Sequence, residues 1–155
     1  MEKFTTKENE MGLDMYLSAK RYIWKSSDSD NDIQDKLNKV MGEDLPEGMR
    51  VNEVCVDAMY WRKANAIHNW FVENCQDGDD NCQEYFVSRE QIEELRDLCL
   101  AELGGEECLE PIDGFFFGST DKDEYFYQDI KETVEGLNKV LSLPNSYEFY
   151  YRASW

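Results

Sequence analysis

The spacing of apolar residues changes repeatedly along this chain, and that change constrains the fold more than any other feature. In residues 12–24, Leu13, Met15 and Leu17 fall on one side of a period-two pattern, which is typical of a half-buried strand. Residues 88–103 instead carry apolar side chains at helical spacing, namely Ile92, Leu95, Cys99 and Leu103. A chain that moves between these two periods is expected to bury a sheet against helices.

Other segments repeat the two patterns. Strand-like stretches occupy 49–61, 84–87, 114–120 and 147–155, and helix-like stretches occupy 33–40, 62–74 and the residues after Asp121 or Asp123. Inward apolar faces are expected from Ile33, Leu37 and Val40 on the first helix and from Tyr127, Ile130, Val134, Leu137 and Leu141 on the last. These patterns predict a single α+β domain in which a small, mainly antiparallel sheet packs against about three helices.

The helix ends have signals of their own. Ser88 and Gln91 form a capping box before the 88–103 stripe, and Gly104–Gly105 ends it. The last helix is expected to be capped by Ser119, Thr120 or Asp121. A glycine and two hydroxyls before a helix can also hold an anion. Residues 114–120 lack the lysine and glycine spacing of a phosphate-binding loop, so capping is favoured there.

The length of 155 residues fits one domain. Residues 1–11 are polar and are expected to form a flexible arm, followed by a domain at 12–155 with an acidic loop at 26–48. No apolar run approaches the length of a membrane span, and the N-terminus lacks the apolar core of a signal peptide, so a cytoplasmic location is expected. The five cysteines are an odd number, which favours free thiols over a disulfide framework.

The net charge of −18 is the feature that most limits which partners the protein can bind. Such a surface repels nucleic acid and anionic membranes, because both are bound through lysine and arginine. It can attract a basic groove on another protein, or it can serve solubility alone. The carboxylates expected to meet such a partner are Asp28, Asp30, Asp32, Asp77, Asp79, Asp80, Glu93, Glu94, Glu106 and Glu107.

The segment 60–72 stands out because it places cations, amides and the only histidine among aromatic residues. On a helix, Arg62, Asn65 and Asn69 would share one side, with His68 at its border. Together with Ser119 and Thr120, this group suits a phosphate, a carboxylate or a base edge. The alternative is an ordinary amphipathic helix in which His68 bonds a backbone carbonyl. Catalysis by His68 would need a partner group whose placement the sequence does not show.

No metal site or cofactor is predicted. Asp28, Asp30 and Asp32 match the first ligand positions of an EF-hand, but Ile33 and Lys39 stand where glycine and glutamate are required. The loop from Asp77 fails in the same way at Cys82 and Ser88. His68, Cys75 and Cys82 are close in sequence, but their spacing does not match a zinc knuckle.

Four strings of residues resemble a family of short phage and prophage proteins. They are Gly12-Leu13-Asp14-Met15-Tyr16-Leu17, Tyr60-Trp61-Arg62-Lys63-Ala64-Asn65-Ala66-Ile67-His68, Gly114-Phe115-Phe116-Phe117-Gly118-Ser119-Thr120 and the closing Ser154-Trp155. The resemblance implies a bacteriophage accessory gene expressed in the host cytoplasm, without implying an activity. It also suggests a common surface made by Arg62, Asn65, His68 and the turn at 115–120.

Three functions follow as hypotheses. The leading one is a non-enzymatic inhibitor whose carboxylates stand in for backbone phosphates and bind a basic host protein, such as a defence nuclease or another nucleic-acid-binding protein. The second is a protein that sequesters a nucleotide or signalling metabolite with Arg62, Asn65, His68, Asn69 and the 118–120 turn. The third is a small enzyme that uses His68 as acid or base.

Overall fold

The fold is taken from a computed structural model that describes residues 12–25, 27–41, 44–114 and 117–155. The predicted arm at 1–11 lies outside the described residues, and so do two members of the aromatic string, Phe115 and Phe116. The described chain contains eight elements, four strands and four helices.

One antiparallel sheet is built from β1 (Asp14–Tyr22), β2 (Glu53–Arg62), β3 (Tyr85–Val87) and β4 (Tyr147–Ser154), in the order β2-β1-β4-β3. The period-two pattern buries one face of each central strand. Leu17 of β1 lies opposite Tyr151 of β4, and Met15 lies opposite Ala153. The predicted small antiparallel sheet is therefore confirmed.

The helices are α1 (Asp28–Met41), α2 (Asn65–Cys75), α3 (Arg89–Leu103) and α4 (Glu124–Leu141), which makes four where about three were predicted. The capping box at the start of α3 is confirmed. The Ser88 hydroxyl accepts from the Gln91 amide at 3.1 Å, and the Gln91 side chain accepts from the Ser88 amide at 2.9 Å. The helix ends at Leu103, directly before Gly104.

The core lies between the sheet and helices α2, α3 and α4. Ile92, Leu95 and Cys99 on α3 are buried together with Ile130 and Leu137 on α4. Helix α4 is also bonded to the sheet, because the Trp61 indole donates to the Thr133 hydroxyl at 2.8 Å. These contacts fix the position of α4 relative to β2. No helix in the described ranges is long and apolar enough to cross a membrane.

Helix α1 departs from the sequence-based expectation at both ends. It begins at Asp28, inside the stretch predicted as an acidic loop, because Asp30 is tied to the end of β1. The Asp30 carboxylate accepts from the Trp24 amide at 2.9 Å and pairs with Arg21 at 2.8 Å. Val40, predicted to face inward, is 85% exposed. Val40 therefore has the spacing of an inward-facing helical residue, but no other part of the described fold packs against it.

The predicted strand at 114–120 is wrong for the described part of that segment. Phe117 donates its amide to the Gly114 carbonyl at 3.1 Å, and Gly118 has a φ of +84°, a left-handed value outside the range of a strand. The cap of α4 is Asp123, whose side chain accepts from the Phe126 amide at 3.0 Å. Ser119 caps no helix, since its hydroxyl accepts from the Asp121 amide at 3.1 Å.

Candidate functional site

The connection between β2 and α2 is a sharp turn with two cations. Arg62 is the last residue of β2 and not a helical residue, since it lies opposite Asp14 in the sheet. Lys63 has a φ of +56°, in the left-handed region that costs a residue with a side chain roughly 1 kcal/mol. Its amide donates to the Leu13 carbonyl at 2.7 Å, and its carbonyl accepts from the Asn65 amide at 2.9 Å. These bonds hold the strained turn in place.

Two glycines provide the space that these cations occupy. A Cβ atom on Gly12 would lie 3.0 Å from Cε of Lys63 and 3.1 Å from Nη2 of Arg62. A Cβ atom on Gly118 would lie 3.4 Å from Cβ of Lys63. Arg62 also pairs with Asp14 at 3.1 Å. The backbone therefore approaches both cationic side chains closely.

Asn65 joins the start of α2 to the segment before α4. Its side chain is 4% exposed, and its amide nitrogen donates to the carbonyl oxygens of Phe117 at 2.9 Å and Ser119 at 2.8 Å. From the other side, Lys122 pairs with the buried carboxylate of Glu102 on α3. The segment at 117–123 is thus held by contacts to both α2 and α3.

A cavity of about 330 Å³ lies between these segments. The β2–α2 connection contributes Arg62, Lys63 and Asn65 to its lining. The opposite segment contributes Ser119, Asp121, Asp123, Tyr125 and Asp129, while Ala66, Ile67 and Ile130 are among its apolar lining. The volume falls in the range typical of small-molecule sites.

The two walls differ in charge. On the α2 side, the cap residue Ala64 provides no side-chain bond and the first turn contains no acidic residue, so no side chain of the helix's own first turn neutralises the positive end of its dipole. On the α4 side, burial and, to a lesser extent, the nearby charges of Glu132 and Asp123 raise the pKa of Asp129 to about 6. A basic wall thus faces an acidic one.

The structure brings together only part of the group predicted from sequence. Arg62, Asn65 and Ser119 line the cavity, whereas His68, Asn69 and Thr120 are not among its lining residues. The Asn69 side chain donates to the Glu110 carbonyl at 3.2 Å, and Thr120 is exposed. The cavity also includes Lys63, Tyr125 and Asp129, which the sequence reasoning did not select.

His68 is a core residue. It is 0% exposed, and its ring nitrogens contact the Tyr151 hydroxyl at 2.6 Å and the Asp80 carboxylate at 3.0 Å. Burial lowers the pKa of His68 below 6.5, although the bond to Asp80 opposes that change. The expected bond to a backbone carbonyl is replaced by two bonds to side chains. Among the described residues, the His68 side chain has no contact with a residue that lines the cavity. Its ring lies 5.3 Å from that of Phe117, and only its backbone amide reaches a lining residue, by donating to the Ala64 carbonyl at 3.0 Å.

The ten carboxylates predicted to meet a partner fall into two groups. Asp30 is buried against Arg21, and Asp80 is bonded to His68 and to the Trp155 indole. The other eight are exposed: Asp28, Asp32, Asp77, Asp79, Glu93, Glu94, Glu106 and Glu107. Within the described ranges, no three histidine, cysteine or acidic side chains come together in a way that could hold a metal ion.

The four strings behind the resemblance meet in space. Gly12 lies against Lys63, and Asn65 is bonded to Phe117, whose ring lies 6.1 Å from that of Trp155. No protein-family model, curated protein or solved structure matches this chain. The family resemblance therefore stays a prediction. The cavity, which is lined by residues of the second and third strings, is the basis for a functional proposal.

Proposed function

We propose that this protein binds a small anionic metabolite of about nucleotide size in the cavity between α2 and α4, and thereby sequesters it. The observation that carries the proposal is the meeting of Arg62, Lys63 and the uncapped start of α2 at one cavity. Backbone amides at a helix start and adjacent cationic side chains are the usual means by which proteins hold phosphates and carboxylates.

The negative net charge of the protein strengthens the case that the paired cations at the cavity bind an anion. With a net charge of −18, the protein repels a free anion at most of its surface. An anion can bind only where positive groups are concentrated, and the left-handed Lys63 is held beside Arg62 at a cost in backbone energy. Strain of this kind persists where the surrounding contacts enforce it, which is frequent at binding sites.

The cavity supports binding more directly than it supports catalysis by His68. His68 has both ring nitrogens bonded inside the core and does not line the cavity. The polar lining consists of groups that orient a ligand, such as the Asn65 amide and the Ser119 hydroxyl. Sequestration requires no more than tight and selective binding.

Calorimetry with 5′-mononucleotides and ribose 5-phosphate tests the proposal. Lys63→Asn removes the charge while keeping a residue that tolerates the left-handed conformation, so the turn should persist. We expect an affinity at least tenfold weaker in this variant. Lys36→Asn on α1 makes the same change in net charge at an exposed residue outside the cavity and serves as the matched control. The proposal is wrong if no probe binds, or if both variants bind like the wild type.

A second proposal is inhibition of a basic host protein by the acidic exterior. It is supported by the exposure of eight of the ten predicted carboxylates, which leaves their charge available to a partner. Asp30 and Asp80 are excluded from that role because their carboxylates are bonded within the fold. A phage setting and a defence nuclease as target remain proposals of the same kind.

Pull-down from bacterial lysate with stepwise salt elution tests this second role. Neutralising Asp77, Asp79, Glu106 and Glu107 should release a basic partner at lower salt, since exposed charge pairs are screened. Lys63→Asn should leave that partner bound, because it changes the cavity and not the acidic loops. Equal retention of the same partner by both variants would count against the acidic surface.

A further inference from the structure

Asp129 is a carboxylate without a partner in the lining of the cavity. Its side chain forms no hydrogen bond or ion pair with any other described residue, although it is half-buried. Only its backbone carbonyl is engaged, by the Thr133 hydroxyl at 2.6 Å. Asp123 differs, because its carboxylate already caps α4, and Asp121 differs, because it is exposed to water. Asp129 is therefore the lining carboxylate with the most to gain from a donor on a ligand.

The surroundings of Asp129 favour an N–H donor. Desolvation, together with the neighbouring carboxylates of Glu132 and Asp123, raises the pKa of Asp129 to about 6. A positively polarised donor reverses both effects, because it replaces lost water and offsets the negative charge. The charged and titratable groups that share this region are Asp121, Asp123, Tyr125 and Glu132 on its own segment and Arg62 and Lys63 across the cavity.

We propose that the ligand is amphoteric, with an anionic group held by Arg62 and Lys63 and a nitrogen-bound hydrogen donor held by Asp129. The proposal rests on the binding function given above and adds the chemistry of the far end of the ligand. A carboxylate accepts two parallel N–H groups well, as on the amide–amino edge of a guanine base. Tyr125, which is 72% exposed and lines the cavity, offers a ring on which a base can stack. A purine mononucleotide meets all three requirements.

The proposal has a proton-linkage signature. The donor binds ionised Asp129, so binding near pH 6 releases about half a proton per ligand beyond the proton that the phosphate itself releases, since its second pKa is also about 6. Loss of this additional proton release, and of the added pH dependence of the affinity, is expected in Asp129→Asn. A ligand held only by Arg62 and Lys63 would release no proton through Asp129.

The experiment compares matched ligands by calorimetry at pH 6 and pH 8, in two buffers of different ionisation enthalpy. Guanosine 5′-monophosphate carries the two-donor edge, inosine 5′-monophosphate lacks its amino group, and ribose 5-phosphate lacks the base. O-phosphoethanolamine supplies an ammonium donor without a base and is compared with ethyl phosphate. We expect guanosine 5′-monophosphate to bind at least tenfold more tightly than ribose 5-phosphate in the wild type, and most of that preference to be lost in Asp129→Asn, where only stacking on Tyr125 remains. Glu135→Gln on the same helix is the charge-matched control and should retain the wild-type preference.

The outcomes separate this inference from the proposed function. If ribose 5-phosphate binds as tightly as the nucleotides, or if the preference is undiminished in Asp129→Asn, the amphoteric ligand is overturned while anion binding stands. If O-phosphoethanolamine alone shows the preference, the donor is an ammonium group and the base is not required. If none of the ligands binds, both the inference and the proposed function are wrong.

Discussion

The side-chain amide of Asn65 donates to the carbonyl oxygen of Ser119 across 2.8 Å, and the same nitrogen donates to Phe117 at 2.9 Å. One buried side chain therefore joins the first turn of α2 to the segment that leads into α4. Because the two walls of the cavity belong to these two segments, the shape of the cavity depends on Asn65.

Asn65→Ala should destabilise the protein and weaken ligand binding together. The substitution leaves two carbonyl oxygens without their donor in a largely buried place, which costs about 2 kcal/mol. Urea denaturation at pH 7 measures that loss. Asn69→Ala removes a longer, exposed bond of 3.2 Å to Glu110 and should cost less than about 0.5 kcal/mol. Equal losses in the two variants would contradict a special role for Asn65.

Asp129→Asn should stabilise the protein at pH 8 by on the order of 1 kcal/mol, even though it removes a cavity residue. The pKa of Asp129 is about 6 in the folded protein and about 3.9 in an unfolded chain, so ionisation opposes folding above pH 6. The full conversion of that difference would be larger, but the side chain is only half-buried and water screens it.

The stabilisation by Asp129→Asn has a defined pH window. The wild type gains stability as the pH falls from about 6 to about 4, because the folded state then binds the proton first. The advantage of the variant should therefore be constant above pH 7 and vanish near pH 4. Glu135→Gln controls for the change in net charge. A variant advantage that persists at pH 4 would show that the carboxylate charge is not the cause.

Because the chain contains a single histidine, its pKa can be measured without overlap and tests whether His68 is buried. Burial should hold the pKa of His68 below 6.5, so its ring proton signal in an NMR titration should move only below that pH. Asp80→Asn removes the carboxylate that opposes this effect and should lower the pKa of His68 further. A midpoint at or above 6.5 in the wild type would contradict the buried placement.

His68 should also make the protein less stable in acid. In the unfolded chain the imidazole binds a proton near pH 6.5, whereas the folded state resists protonation to a lower pH. Stability is therefore lost as the pH falls below about 6.5, opposite in sign to the contribution of Asp129. Denaturation of Asp129→Asn between pH 4 and pH 7 should show the His68 contribution without the opposing one from Asp129, as a steeper loss of stability in acid than in the wild type.

The thiols should react in an order set by exposure and pKa. Burial raises the pKa of Cys75 and of Cys99 to about 12, so both should be protected from a disulfide reagent at pH 8. Cys55 is exposed and should react first. Mass spectrometry of partly labelled protein identifies the sites. Early labelling of Cys99 would contradict the packing between α3 and α4.

The sequence predicts best those elements whose formation depends on residues close together in the chain. The strand β1, the capping box of α3 and the strand β4 all depend on residues that are neighbours in sequence. The helix at 62–74 was placed correctly apart from its start. Helical spacing predicts that Arg62 lies beside Asn69. In the structure β2 continues through Arg62, and the left-handed turn at Lys63 separates Arg62 from the helix that contains Asn69.

The errors in the candidate site arise from contacts between distant segments. His68 looked available because neither Asp80 nor Tyr151 could be placed beside it from sequence. Asp129 was overlooked because a carboxylate next to an inward-facing isoleucine carries no local sign that it faces a cavity. The group Arg62, Asn65 and Ser119 was found, since the residue types alone suited an anion, and the structure places all three at the cavity.

The sheet order has a consequence for how this chain acquires its structure during synthesis. β1 pairs with β4 along nearly its whole length, and β4 is the only described strand with which β3 pairs. Until the ribosome has released residues 147–154, one edge of β1 remains open and β3 has no neighbour. Because these pairings join distant parts of the chain, refolding should be slow for a domain of this size. A nascent chain stalled before Tyr147 would expose the apolar side chains of β1 to chaperones.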